Sequence, residues 1–265
     1  MSHSDAYAKP NDRDNFVWCT TLENVTWLDE SMCSYNEDLA VFRFRYVEAT
    51  HDEPNWERVL RSDEMERANR YRRADDRYRS LYTKTMLRLL VGYYTSQRPG
   101  AIEFRTGITN KLELSGRSDW QFNGSHSGDW IVLAISKRSV GVDIEKIRMD
   151  FPFQGVLPLC FTEQEQTYIT SGESARQRFY QVWTRKEALV KATAKGIDKD
   201  FYQIPSLDGE HRIDKRLLSG NWLVHSFTIA DNYPAAVAYQ ASLQCTPRFY
   251  TITTDLFNRW ITANR

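Results

Sequence analysis

Between Trp130 and Ile147 the chain reads WIVLAISKRSVGVDIEKI. Two apolar runs this rich in β-branched residues are strands, and the four polar residues 136–139 between them are short enough for a hairpin. The second run alternates. In an extended chain Val140, Val142 and Ile144 share one face, while Gly141, Asp143 and Glu145 share the other. A fold containing this strand must bury the first face and accommodate two carboxylates, roughly 7 Å apart along the strand, on the second. Unpartnered, the two charges repel. Either the strand lies at a solvated sheet edge, or a divalent cation suited to oxygen-only ligands, such as magnesium, sits against them.

Other segments supply the remaining elements. LAVFRFRYV (39–47) alternates like a strand, and WLVHSFTIA and AAVAYQASL, joined by DNYP, form a second strand pair. FYTITT is a candidate last strand. EPNWERVLRSDEMERANRYRR and DDRYRSLYTKTMLRLLVGYYTSQ read as helices, with Ser62 as an N-cap and Arg98-Pro99-Gly100 as a stop. A further helix follows Thr162, with Glu163 and Glu165 in its first turn. Residues 1–15 are polar and carry a disordered composition, and Phe16 to Met32 show scattered aromatics without a period. Strands and helices are mixed without regular βαβ units, which makes the chain α+β.

VWTRKEALVKATAKG (182–196) is helical, yet it sets charges at its apolar stripe. Trp183, Lys186, Val190 and Ala194 line one side, with Val182 and Leu189 beside them. Lys186 falls near the middle of that stripe, where it either snorkels or meets an anion. Glu187 and Lys191 stand four residues apart on its edge. They form either a surface ion pair, worth about 0.3–0.5 kcal/mol, or one wall of a site in which Glu187 joins Asp143 and Glu145. Just before the first strand, FNGSHSGDW (122–130) has the Gly, Asn and Ser content of a tight turn with exposed backbone N–H groups, suited to an anion.

Composition narrows the classes of function. The formal net charge is zero, which gives no electrostatic reason to bind nucleic acid or a membrane. The arginines of residues 61–88 are interrupted by Glu66, Asp75 and Asp76 and lack an aromatic stacking platform. Cys19, Cys33, Cys160 and Cys245 have neither zinc-ligand nor redox-motif spacing, and reduced thiols in a cytoplasmic protein are expected. The N-terminus has no apolar core for a signal peptide, and WIVLAI is too short to span a bilayer.

In order and spacing, FNGSHSG, VGVDIE, FTEQE and VWTRKEALVKATAKG resemble the 4′-phosphopantetheinyl transferase family, of the larger monomeric type that activates peptide and polyketide synthetases. The family patterns are roughly F-N-x-S-H-S-G, G-x-D-I-E and W-x-x-K-E-A-x-x-K-x-x-G-x-G, and weaker similarity runs from Leu39 to Leu256. The resemblance implies transfer of the phosphopantetheine arm of coenzyme A to a serine of an apo acyl or peptidyl carrier protein. It implies two similar α+β halves in a pseudo-twofold arrangement with the site between them, drawn at residues 37–138 and 139–265 after an N-terminal extension, 1–36. It implies that Asp143, Glu145 and Glu187 hold magnesium. Glu187 and Lys191 are then the catalytic pair, with Lys191 meeting phosphate or the attacking hydroxyl. Coenzyme A falls to Arg67, Ser80, Arg105, Lys111, Ser125 and His126. At a second basic position of the family this chain has Glu64, and the family's G-K-P reads Asn110-Lys111-Leu112. A carrier-binding scaffold without catalysis is the alternative, against which the intact Asp143, Glu145, Glu187 and Lys191 argue.

Overall fold

The computed structural model describes residues 15–46, 55–107, 111–116, 118–241 and 245–263; the expected disordered start, 1–14, and Asn110 lie outside them. In chain order the elements begin with β1 (Phe16–Thr21), β2 (Trp27–Asp29) and β3 (Leu39–Arg45), followed by α1 (Ser62–Asn69) and α2 (Ala74–Thr95). Then come β4 (Phe104–Thr106), β5 (Leu112–Leu114), β6 (Gln121–Ser127), β7 (Trp130–Ser136) and β8 (Val140–Ile144). Helices α3 (Leu157–Cys160), α4 (Glu163–Thr170) and α5 (Ala175–Thr193) lead into β9 (Gly209–Arg212), β10 (Trp222–Ala230) and β11 (Tyr233–Gln240). β12 (Arg248–Ile252) and α6 (Thr254–Ala263) follow.

The chain is α+β, with two five-stranded sheets. The first runs β8-β11-β10-β1-β9, the second β2-β12-β3-β7-β6, and β4 and β5 form a separate ribbon. The sheets stack face to face. Leu39, Val41, Val132 and Ala134 of the second meet Val140, Val142, Ile144 and Val237 of the first in one buried cluster. The alternate residues Phe42, Phe44, Ile131 and Leu133 face outward onto α2 and α6. On the far face of the first sheet, Val17, Val224 and Ala236 pack against Ala188 and Leu189 of α5. The result is four layers, helix–sheet–sheet–helix, which is why β7 reads as a continuously apolar run: both its faces are buried.

Three sequence expectations change. β7 and β8 are not a hairpin. Both edges of β7 are taken, by β3 and β6, so residues 137–139 instead carry the chain across to the facing sheet, where β8 pairs with β11. FNGSHSG is not a turn. It is strand β6, in register with β7 from Gln121↔Ser136 to Ser127↔Trp130, and the turn is confined to Gly128, at φ +53°, and Asp129. The first long arginine-rich segment is helical only over Ser62–Asn69 and a 3₁₀ turn at Trp56–Arg58, and the N-cap is Arg61, whose N–H donates to the Glu64 carboxylate at 3.0 Å.

The unassigned stretch from Phe16 turns out to be structural. β1 lies inside the first sheet, parallel to β10 and antiparallel to β9. β12, from the other end of the chain, lies inside the second, parallel to both β2 and β3. Each sheet therefore borrows a strand from the opposite end of the sequence.

Candidate active site

β8 and β6 are edge strands of the two sheets, and their side chains meet. Period-two alternation puts Asn123, Ser125 and Ser127 on one face of β6. Asn123 Oδ1 accepts the Val142 N–H at 2.9 Å, and Ser127 Oγ accepts the Lys146 N–H at 2.9 Å while donating to Glu145 at 3.0 Å. The side chains of one sheet thus satisfy backbone donors along the free edge of the other. Ser125 Oγ, between them, donates to Asp143 Oδ1 at 2.8 Å.

The third wall is α5. Gly141 is the reason it comes so near: a Cβ there would sit 2.1 Å from the Ala188 oxygen and 2.3 Å from the Ala192 nitrogen. With no side chain between them, the helix lies directly on β8. Lys191 then reaches Asp143 Oδ1 at 2.6 Å and Ser125 Oγ at 3.2 Å, rather than pairing along the helix with Glu187. Asp143 is 3% exposed, and its Oδ2 is buried without a hydrogen-bond partner. Desolvation, with the charge of Asp143 adding to it, pushes the Glu145 carboxyl up to about 7. The same two causes raise Glu187. Three carboxylates in one cleft are short of positive charge.

Whether such a set suits a metal is a matter of donors. All are hard oxygens, one buried carboxylate oxygen is orphaned, and two carboxyls are driven toward protonation that a divalent cation would reverse. As the side chains stand, Lys191 takes Asp143 Oδ1, and among the described residues no three His, Cys, Asp or Glu groups are gathered closely enough to hold an ion. The chemistry of the set fits; its closure requires Lys191 to yield.

The other expected residues are dispersed. His126 and Ser125, adjacent in β6, face opposite ways. His126 looks toward α2, and desolvation followed by the charges of Arg79 and Lys191 lowers its pKa. Ser80 is buried on α2. Lys111 donates to the Val140 oxygen at 3.0 Å and the Ala192 oxygen at 3.2 Å, tying the β4–β5 ribbon to β8 and the end of α5; desolvation pulls its pKa down to about 8. Arg105, on β4, turns to Glu113 at 3.0 Å and to solvent, apart from this cluster. Arg67, on α1, bonds to Asp63 and lines a separate groove of 350 Å³ with Lys84, Leu87, Phe104 and Leu112. Glu64 faces inward: Arg88, itself 1% exposed, donates to it at 2.7 Å.

Asn123, Ser127 and Arg79 were not anticipated. The N-x-S-x-S alternation in FNGSHS was the available signal for the first two. Arg79 bonds to Asp76 at 3.0 Å with its Nε buried and unpartnered, close to His126, and no sequence pattern marks it. Lys186 meets an anion: fully buried, it pairs with Glu165 at 2.9 Å, and Glu165 also accepts the Thr162 N–H and the Ser206 hydroxyl. Arg185, equally buried, bonds to Ser226, the Ser206 carbonyl, Thr21 and Asp208. These two cations fasten the back of α5, so that its front presents Glu187 and Lys191. Among the described residues, no helix is long and apolar enough to cross a membrane.

Residues 139–238 match the family model described as the 4′-phosphopantetheinyl transferase superfamily, and residues 51–138 match that described as 4′-phosphopantetheinyl transferase, N-terminal. The Synechocystis protein slr0495 is 34% identical over 157 residues, 57% of this chain and 63% of its own. The Nostoc 4′-phosphopantetheinyl transferase HetI is 33% identical over 147 residues, 53% of this chain and 62% of its own. The Bacillus pumilus 4′-phosphopantetheinyl transferase psf-1 is 32% identical over 176 residues, 64% of this chain and 74% of its own. The chain thus spans less than two thirds of the length of the first two relatives and about three quarters of the third.

Proposed function

The chain belongs to the 4′-phosphopantetheinyl transferase superfamily, and on that premise we propose that it transfers the phosphopantetheine arm of coenzyme A to a serine of an apo acyl or peptidyl carrier protein. The observation that carries this reading is the convergence of Asp143, Glu145, Glu187 and Lys191 with Ser125 where β6, β8 and α5 meet. In the reaction the serine oxygen bonds to the phosphorus that bears pantetheine. The bond from that phosphorus to the bridging pyrophosphate oxygen breaks, and adenosine 3′,5′-bisphosphate leaves with the electron pair.

Asp143, Glu145 and Glu187 would hold magnesium. When bound, the ion neutralises pyrophosphate charge and eases departure of the bisphosphate. The Lys191 ammonium, released from Asp143, bonds to a phosphate oxygen and keeps it in line with the incoming hydroxyl. Glu187, directly or through a water, takes the serine proton. Ser125 holds Asp143 in place through its hydroxyl. Arg79 and His126, on the α2 side of β6, and Lys111, with one ammonium N–H beyond the two it gives to carbonyls, face the nucleotide's phosphates. The enzyme is proposed to work as a cytoplasmic monomer, a compartment in which its four cysteines would stay reduced.

Mass spectrometry of an apo carrier protein after incubation with the enzyme, coenzyme A and magnesium tests this. A gain of one phosphopantetheine, lost in Asp143→Ala with the fold intact, is expected. Stable association of the two proteins without any mass gain would mean a scaffold, and the reading would fall.

A further inference from the structure

The two oxygens of Asp143 are served unequally. Oδ1 accepts two hydrogen bonds, from the Ser125 hydroxyl at 2.8 Å and from the Lys191 ammonium at 2.6 Å, while Oδ2 is buried with no partner among the described residues. The same ammonium donates to Ser125 Oγ at 3.2 Å, so carboxylate, hydroxyl and ammonium close a ring. Lysine has three N–H donors, and the ring uses two. Whichever oxygen of Asp143 a divalent ion takes, it meets the Lys191 charge on the same carboxylate.

Two lysines of α5 meet carboxylates, and they differ in freedom. Lys186 is fully buried and locked, by Glu165 and by the carbonyls of Tyr202 and Ile204. The Lys191 side chain is 29% exposed, while that of Asp143 is 5% exposed. The backbone of Lys191 is fixed, because Gly141 lets α5 rest directly on β8. Its flexible four-carbon stem can still carry the ammonium outward with no movement of the helix. Asp143 cannot follow. The lysine therefore has two positions, one on Asp143 and one in the cleft, and an anion in the cleft decides between them. A pyrophosphate brings more negative charge than a single carboxylate, so it wins the ammonium.

We infer that Lys191 is a positioning residue that couples two ligands: it competes with magnesium for Asp143 until the pyrophosphate of coenzyme A draws it away, so that the metal binds weakly alone and tightly with coenzyme A. The inference rests on the proposed transferase function. Through the exchange Asp143 always keeps a positive partner, as a carboxylate this deeply buried must. Pyrophosphate oxygens that ligate the ion contribute coupling of their own. The share due to Lys191 is the difference between wild type and a variant without the ammonium, and by linkage it is the same for either ligand's effect on the other.

Calorimetric titration of the full chain with magnesium, without and with coenzyme A, tests this. Lys191→Met is expected to bind magnesium alone about tenfold more tightly than wild type, the equivalent of one charge-assisted contact no longer displaced, and to show about tenfold less coupling to coenzyme A. Without metal it should melt below wild type, since Asp143 has lost its counter-charge, and magnesium should raise its melting point more than that of wild type. Lys191→Gln keeps an N–H donor for Asp143 without the charge, and gives the same comparison if the methionine protein folds poorly. Lys195→Met is the control. It makes the same charge change one turn further along the chain, where Lys195 pairs with Asp198 at 2.9 Å, and should leave magnesium affinity within twofold. A wild type that modifies carrier protein, while both Lys191 variants bind magnesium alone no more tightly than it does, overturns the inference alone; so does a Lys195→Met shift as large as that of Lys191→Met. A wild type that takes up no magnesium even with coenzyme A and modifies no carrier removes the transferase reading and this inference with it.

Discussion

Gly141→Ala tests the geometry of the site with the smallest change available. The added methyl would sit 2.1 Å from the Ala188 oxygen and 2.3 Å from the Ala192 nitrogen, both in the backbone of α5, where ordinary contact begins at 3.4 Å. Backbone cannot rotate aside as a side chain does, so the helix must withdraw from β8 by about 1 Å, a displacement of the size that costs on the order of 100-fold in rate when catalytic groups are misplaced. Overpacking of this kind costs about 1–3 kcal/mol of stability. Lys191, in direct contact with Asp143, would be carried away with the helix. Two readouts are needed: thermal or urea unfolding, and carrier modification at saturating coenzyme A. Gly155→Ala is the control, since nothing lies within 4 Å of a Cβ there. The expected result is a stability loss and a fall in kcat at Gly141 and neither at Gly155. If Gly141→Ala keeps its unfolding midpoint and its turnover within twofold, close approach of α5 does not set the site.

Glu64→Lys would bury a second cation against Arg88 and remove its partner; a loss of about 3–5 kcal/mol, read by urea unfolding, is expected, without tighter coenzyme A binding. Lys186→Met should be destabilising by a similar ~3–5 kcal/mol, because it strands the Glu165 carboxylate; Lys186→Met with Glu165→Leu should be the more stable of the two proteins, and a double variant less stable than the single would reject the pairing. Burial, and the nearby Arg185 charge, hold His225 down to about 4. The unfolded chain, with an ordinary histidine near 6.5, therefore binds the extra proton first, so this group lowers stability as pH falls from about 6.5 to about 4, by about 3 kcal/mol at the bottom of the window. Unfolding measured across that window should show His225→Asn losing less stability than wild type, and parallel curves would refute the assignment. Lys191→Ala should lose transfer even at saturating magnesium; full activity with only a lower melting point would return Lys191 to a structural ion pair.

The sequence revealed those parts of the fold that local periodicity encodes. β3, β8, β10 and β11 carry their burial in alternation or unbroken apolarity, and the shared face of Gly141, Asp143 and Glu145 follows from that alone. Thr162 announces α4 because the capping contacts are local: its hydroxyl accepts the Glu165 N–H at 3.3 Å. β1 was illegible because its strand identity comes from Trp222–Ser226, some two hundred positions away. β6 was misjudged because Asn, Gly and Ser favour turns on their own, and only pairing with β7 makes them extended. The break at 136–139 looked like a hairpin because sequence shows the spacing of two strands but not whether their edges are already occupied. In the site, Lys191 was legible as a charge and illegible as a partner of Asp143, since that contact depends on how closely one helix can lie on one strand. Glu64 reads as an obstacle to phosphate in the sequence; only the packing of α2 on α1 shows Arg88 to be its counter-ion.

The exchange of strands between the two ends has a consequence for biogenesis. The second sheet contains β2, β3, β6 and β7, all made early, yet β12 fills the place between β2 and β3. A nascent chain stopped before Arg248 leaves β2 cut off from β3, and the apolar edge of β3 bare. β1, made first of all, has no sheet to enter until Trp222–Ala230 emerges. Neither wall of the cleft can therefore mature on the ribosome ahead of the other, and the cavity forms late, in one concerted step dominated by distant contacts. Cutting the chain at residues 137–139 would yield two fragments, each missing a strand that the other carries. Such pieces would be inert apart and would regain activity only when produced together, which makes this linker a place to build a split reporter.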